Sequence, residues 1–76
     1  MKIYIINVAY GQYVYAARNL ENLYEILKKD SYMRFLILGE TEETGICDFD
    51  FFSTNIVGKD INEIPLKEGF LGGYQE

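Results

Sequence analysis

The stretch that decides the fold runs from Asn19 to Lys29 and has the sequence NLENLYEILKK. Its apolar residues recur at intervals of three, three and one, which places them on one face of a helix: Leu20, Leu23, Ile26 and Leu27. Asn19 stands just before the first of them and is the predicted N-cap, because its side chain can accept a hydrogen bond from a free backbone N–H. Glu21 near the start and Lys29 near the end suit the helix dipole. The pattern predicts a helix from 20 to 29.

Two apolar segments precede this helix. Residues 3–10 and 13–17 are rich in β-branched and aromatic side chains and meet at Gly11, which predicts a β-hairpin. Both sets of alternate side chains in the first strand are largely apolar, so the sheet has a second apolar face that the helix does not cover. We expect either the C-terminal segment or a second copy of the chain to cover that face.

A second hairpin is predicted after the helix, with strands over residues 32–38 and 46–52 and a polar, glycine-bounded segment between them. In the register that keeps apolar side chains together, Phe35 lies beside Phe49 on one face. The opposite face carries charged side chains, with Arg34 directly across from Asp50. Phe35 is therefore expected in the core and the Arg34–Asp50 pair at the surface.

The pattern weakens after residue 53. Ile56 and Val57 are compatible with an edge strand, and residues 60–64 with a helical turn ended by Pro65. The fold class predicted from these elements is α+β, a small antiparallel sheet with one helix in the order β-β-α-β-β and an irregular C-terminal segment. We assign residues 1–68 to one domain and residues 69–76 to a flexible tail.

Composition excludes several classes of function. The 76 residues carry a net charge of −5, so the chain as a whole repels nucleic acid and anionic lipid, and we expect no direct binding to either. There is no His, and Cys47 is the single cysteine, so we expect no disulfide, no metal site, no cofactor and no catalytic residue. Cys47 alternates with phenylalanines and is interpreted as a small core side chain. We expect a cytoplasmic protein, since the N-terminus does not resemble a signal peptide.

The distribution of charge is the feature that points to a partner. Residues 1–39 have a net charge of +2, whereas residues 40–76 have a net charge of −7. The predicted partner-binding residues are therefore the acids of the second hairpin together with aromatic rings near the first turn: Glu40, Glu42, Glu43, Asp48, Asp50, Tyr10 and Tyr13. Asp48 and Asp50 also have the spacing of an acid–base or metal pair, but no third ligand stands at a fixed distance.

Two hypotheses from different classes follow. The first is a non-enzymatic, small acidic inhibitor that docks on a basic protein surface, such as the nucleic-acid-binding surface of an enzyme, where clustered carboxylates imitate phosphates. The alternative is a homodimeric structural or ligand-binding module that uses the apolar sheet face, with the acids serving only solubility.

Overall fold

The computed structural model describes residues 1–65. In chain order the elements are β1 (Lys2–Val8), β2 (Gly11–Ala17), α1 (Leu20–Lys29), α2 (Ser31–Leu36), α3 (Phe49–Phe51), a π-helical turn (Phe52–Ile56) and β3 (Ile61–Pro65). The α+β class with an antiparallel sheet is confirmed. The predicted order β-β-α-β-β with one helix is wrong in detail, because the described residues contain three strands and three α-helices.

β1 is the central strand of the sheet. The strand order is β2-β1-β3, and β1 pairs antiparallel with both neighbours. Ala9 and Tyr10 form the turn between β1 and β2, since Val8 pairs with Gly11. The predicted N-terminal hairpin is confirmed, but its turn lies before Gly11, which is the first residue of β2.

α1 begins and ends where the spacing of its apolar residues predicts. The backbone N–H of Asn22 donates to Asn19 Oδ1 at 2.8 Å, so Asn19 is the N-cap. The inner face of α1 joins the inner face of the sheet in one hydrophobic cluster that includes Tyr4, Ile6, Leu23 and Leu27. The three aliphatic side chains among them are fully buried, and each contributes about 1.5–3 kcal/mol by leaving water.

The first strand of the predicted second hairpin is instead helix α2. Asp30 caps it, because the N–H groups of Tyr32 and Met33 donate to the Asp30 carboxylate at 3.0 and 3.3 Å. Met33 and Ile37, four residues apart, are buried on the same side. Asp30 therefore both ends α1 and begins the next helix.

The second strand of that hairpin, predicted over residues 46–52, is also wrong. The N–H of Phe51 donates to the Asp48 carboxylate at 2.8 Å, so Asp48 caps α3 rather than lying on a strand face. The chain continues into the π-helical turn, in which the N–H of Val57 donates to the carbonyl of Phe52 at 3.0 Å. Ile56 lies within this turn and Val57 forms only an isolated bridge with Ile61, so the two residues do not form the expected edge strand.

Because this part of the chain is helical, two neighbouring side chains of α2 have different surroundings from those predicted. Arg34 pairs with Glu40, at 2.6 Å between Nη2 and Oε1, so the predicted pairing with Asp50 across a hairpin is wrong. Phe35 was expected in the core and is 67% exposed. The physical reason is that a helix places Phe35 about 200° away from Met33, whereas a strand would place both on one face.

The predicted helical turn over residues 60–64 is strand β3. Ile61 lies opposite Ile6 on the inner face of the sheet, and Ile64 lies opposite Ile3 on the outer face. Pro65 ends β3 at a sheet edge, where its missing N–H is tolerated. β3 thus occupies the side of β1 that the second hairpin was expected to fill.

The outer face of the sheet carries five apolar and three polar side chains, and the polar ones are Asn7, Gln12 and Asn62. The apolar ones are Ile3 and Ile5 of β1, Val14 and Ala16 of β2 and Ile64 of β3, as the strand register places them. Within residues 1–65, none of these five side chains belongs to the core cluster or packs against it, and Val14 is 60% exposed. The predicted domain over 1–68 and tail over 69–76 extend beyond the described residues and stay predictions.

Candidate functional site

A groove lies between the turn that joins β1 to β2 and helix α2. We call it the aromatic groove and define it by five exposed side chains: Tyr10, Tyr13, Tyr32, Phe35 and Leu36. Its volume is about 530 Å³, within the range of ligand-binding clefts. Of the described residues that line it, none is charged. Water-exposed aromatic side chains grouped in this way are typical of protein contact surfaces.

Helix α2 forms one wall of the groove, and it carries apolar side chains on both its buried and its exposed side. Met33 is buried beneath it, while Tyr32, Phe35 and Leu36 follow the i, i+3, i+4 spacing on the exposed side. Solubility alone would favour polar residues on that exposed side. The exposed apolar side of α2 is therefore a feature that core packing does not explain.

The contact between Tyr13 and Tyr32 joins the two walls. The ring centroids are 6.4 Å apart, and the rings meet edge to face at 70°. Such a pair contributes about 0.5–1.5 kcal/mol beyond its buried area. The Tyr32 side chain also raises the pKa of Tyr13, whose hydroxyl is neutral at pH 7 even without this effect. This contact connects the two walls of the groove, whose described lining is uncharged.

An acidic loop, residues 40–43, lies next to the groove. A second depression of about 400 Å³ is lined by Phe35, Glu40, Thr41 and Glu42, so Phe35 borders both the loop and the aromatic groove. The Thr44 N–H donates to Thr41 Oγ1 at 2.9 Å, which fixes the turn that carries these acids. Gly39, with φ of 70°, supplies the backbone conformation that leads into it.

The predicted acids fall into two groups. Glu40 is engaged by Arg34, and the Asp48 carboxylate is occupied as the cap of α3. Within residues 1–65, the side chains of Glu42, Glu43 and Asp50 are exposed and make no hydrogen bond or ion pair. Asp48 lies near Tyr24 of α1, whereas Glu40 and Glu42 lie beside α2. The structure places Tyr10 and Tyr13 in the groove and two of the five acids beside it.

Sequence reasoning missed Tyr32, Phe35 and Leu36. In the predicted strand, Phe35 shares one face with Met33 and Ile37, which predicts a buried position for it. The signal that identifies the three missed residues is Asp30 followed by a helical spacing, since an Asp at that place is a good N-cap. With α2 recognised, the same residues fall on an exposed face.

Cys47 is half-buried against the core and accepts, through its carbonyl, a hydrogen bond of 2.5 Å from the Tyr24 hydroxyl. Burial, and then the charge of Asp48, raise the pKa of the Cys47 thiol, which keeps it protonated at neutral pH.

Among residues 1–65, no three acidic or thiol side chains converge in a way that could hold a metal ion. That same part of the chain contains no helix of the length and apolarity needed to cross a bilayer.

Comparison with family models, with curated proteins and with solved structures gives no match. The fold and the site together define a small α+β domain with an exposed aromatic groove and an adjoining acidic loop.

Proposed function

We propose that this protein is a non-enzymatic binding protein that docks on a basic surface of a partner protein. One observation carries the proposal: Phe35 borders both the aromatic groove and the acidic loop, so apolar and acidic contacts are offered on one continuous surface. Protein interfaces combine these two elements, with apolar side chains losing water at the centre and charges at the rim.

Charge supports the choice of a basic partner. The net charge of −5 increases the rate at which a positively charged surface is encountered, and Glu42 and Glu43 are exposed and free of internal partners in residues 1–65. A basic surface of this kind occurs on nucleic-acid-binding enzymes, for which the bound protein would act as an inhibitor in the cytoplasm. Direct binding to nucleic acid or to an anionic membrane is opposed by the same charge.

The proposal is tested with charge-reversed baits. Glu42→Lys with Glu43→Lys changes the net charge from −5 to −1, and Glu21→Lys with Glu25→Lys on α1 makes the same change away from the groove. We expect the wild type and the α1 variant to retain a basic partner from lysate, and the loop variant to lose it. Circular dichroism checks that each bait is folded.

Salt and competing DNA complete this experiment. Raising the salt from about 0.1 M to 1 M shortens the Debye length from about 10 Å to 3 Å and should release the partner. Duplex DNA should compete with the bait if the occupied surface is a nucleic-acid site. A partner held equally by all three baits, at both salt concentrations, would leave the acids with a solubility role only.

The outer sheet face supports the second candidate, a homodimeric module. Ile3, Ile5, Val14, Ala16 and Ile64 form an apolar patch on this face that belongs to no core cluster within residues 1–65. Val14→Lys should then convert a dimer into a monomer in light scattering, whereas Thr54→Lys, at an exposed position of the π-helical turn, should not. A wild-type protein that is monomeric at high concentration contradicts this candidate.

A further inference from the structure

We propose that the aromatic groove takes an apolar side chain from a short segment of the partner, and that a lysine or arginine next to that side chain reaches the acidic loop. This inference rests on the proposed function, since it names the chemistry of the segment that the binding surface recognises. It commits to a peptide segment with a basic residue beside an apolar one.

The lining of the groove selects the apolar side chain. Tyr10 is fully exposed, Phe35 is 67% exposed and Tyr32 is 55% exposed, so three rings keep most of their surface in water without a ligand. Covering apolar surface is favourable by about 25 cal/mol for each Å² removed from water. Tyrosine rings also lose little conformational entropy when they are covered, since they have only two rotatable side-chain bonds.

The charges around the groove favour a basic residue next to the apolar side chain of the partner segment. Glu42 lies on the far side of Phe35 and makes no ion pair within residues 1–65, while Glu40 beside it is paired with Arg34, the basic side chain of α2. On the opposite side the Asp30 charge acts on Tyr13, where it contributes to the raised pKa of that hydroxyl. A carboxylate on the ligand would meet repulsion from both sides, whereas an ammonium or guanidinium group would meet attraction.

Three capped peptides serve as probes: acetyl-Gly-Lys-Trp-Lys-Gly-amide, the same peptide with Glu in place of Lys, and the same peptide with Ser in place of Trp. The protein contains no Trp, so tryptophan emission reports the peptide alone. We expect the Lys-Trp-Lys peptide to bind with a blue shift of its emission. The Glu-flanked peptide should bind at least about tenfold more weakly, as should the Ser-centred peptide when it is used as a competitor.

Two exposed phenylalanines give a matched pair of variants. Phe35→Ser removes the ring shared by the groove and the loop, while Phe51→Ser removes a ring that is 52% exposed on α3 and lines neither depression. We expect Phe35→Ser to weaken the binding of the Lys-Trp-Lys peptide about tenfold. Phe51→Ser should leave the affinity within about twofold of that of the wild type. Tyr10→Ser, at the fully exposed turn, is the second variant if Phe35→Ser lowers helix content. Amide NMR shifts caused by the peptide should concentrate at Tyr10, Tyr13, Tyr32 and Phe35.

Three results would overturn the inference. They are no emission shift at about 1 mM Lys-Trp-Lys peptide, equal effects of Phe35→Ser and Phe51→Ser, and equal binding of the Lys- and Glu-flanked peptides. The proposed function fails separately. If Glu42→Lys with Glu43→Lys abolishes partner binding while Phe35→Ser does not, the groove is not the anchor site and the acidic docking proposal stands.

Discussion

Asp30→Ala is the change that most directly tests how α2 and the groove are built. The Asp30 carboxylate accepts hydrogen bonds from the N–H groups of Tyr32 and Met33, and the Asp30 carbonyl accepts one from Arg34 at 2.9 Å. The Asp30 N–H in turn closes α1 by donating to the Leu27 carbonyl at 3.2 Å. Alanine keeps the backbone bonds and removes only the two bonds to the carboxylate.

The expected loss follows from these two bonds. Replacing an N-cap residue by alanine costs about 0.5–2 kcal/mol. Asp30 is exposed, so water replaces part of the lost bonding, but α2 has only six residues and depends strongly on its cap. We expect a loss of about 1–2 kcal/mol, which for a domain of this size lowers Tm by roughly 5–15 °C.

Thermal and urea unfolding, followed by circular dichroism, measure this loss. Asp30→Asn should recover most of the stability, because asparagine caps helices about as well as aspartate. Asp50→Ala is the control, since it removes one exposed charge that makes no side-chain hydrogen bond in the described residues. If Asp30→Ala unfolds within about 0.3 kcal/mol of the wild type, or Asp50→Ala costs as much, the capping argument for α2 is refuted.

Three further predictions concern single side chains. Phe52→Ala, at a fully buried ring, should cost about 3–5 kcal/mol in urea unfolding, whereas Phe35→Ala should stay within about 0.5 kcal/mol; similar losses would contradict the assigned core. Tyr4→Phe should leave the free energy of unfolding unchanged or raise it by up to about 1 kcal/mol, because the buried Tyr4 hydroxyl has no hydrogen-bond partner in residues 1–65; a clear loss would reveal such a partner. Because burial raises the pKa of the Cys47 thiol, its alkylation at pH 7 should be slower than that of an unfolded cysteine. The free energy of unfolding that the neutral thiol contributes should be lost as the pH rises above about 8.5. Rapid alkylation of the folded protein would disprove this.

The N-terminal half of the fold is predictable because it depends on local patterns. The first hairpin follows from two apolar runs around Gly11, and α1 follows from Asn19 and the spacing of its leucines. Both signals lie within a few residues of the elements that they define. Cap and periodicity also agree with each other, so no competing interpretation is as consistent.

In the second half of the fold, the alternation of side chains and the helix-capping residue predict different structures. The alternation of Met33, Phe35 and Ile37 is typical of a strand, but Asp30 supplies a cap that makes a helix more favourable. β3 could not be predicted locally, because Ile61 and Ile64 face opposite sides of the sheet and their spacing resembles a helical turn. Its pairing with β1 depends on contacts more than 50 residues apart in the sequence.

The residues of the candidate site are likewise predictable from the sequence only in part. Tyr10 and Tyr13 could be singled out from the position of the first turn, and Glu40 and Glu42 from the excess of acids. Phe35, which connects them, could not, because its exposure depends on α2 being helical.

The central position of β1 has a consequence for synthesis on the ribosome. β1 is made before the other described elements, yet one of its two edges pairs with a strand that begins only at Ile61. At about 5–20 residues per second, that edge stays unpaired for roughly 3–10 s after β1 has been made. An apolar strand with a free edge is a target for pairing with another nascent chain during this interval. The yield of folded protein should therefore depend on the rate of translation between residues 9 and 61, and synonymous codons in this range should change the yield while the amino-acid sequence stays the same.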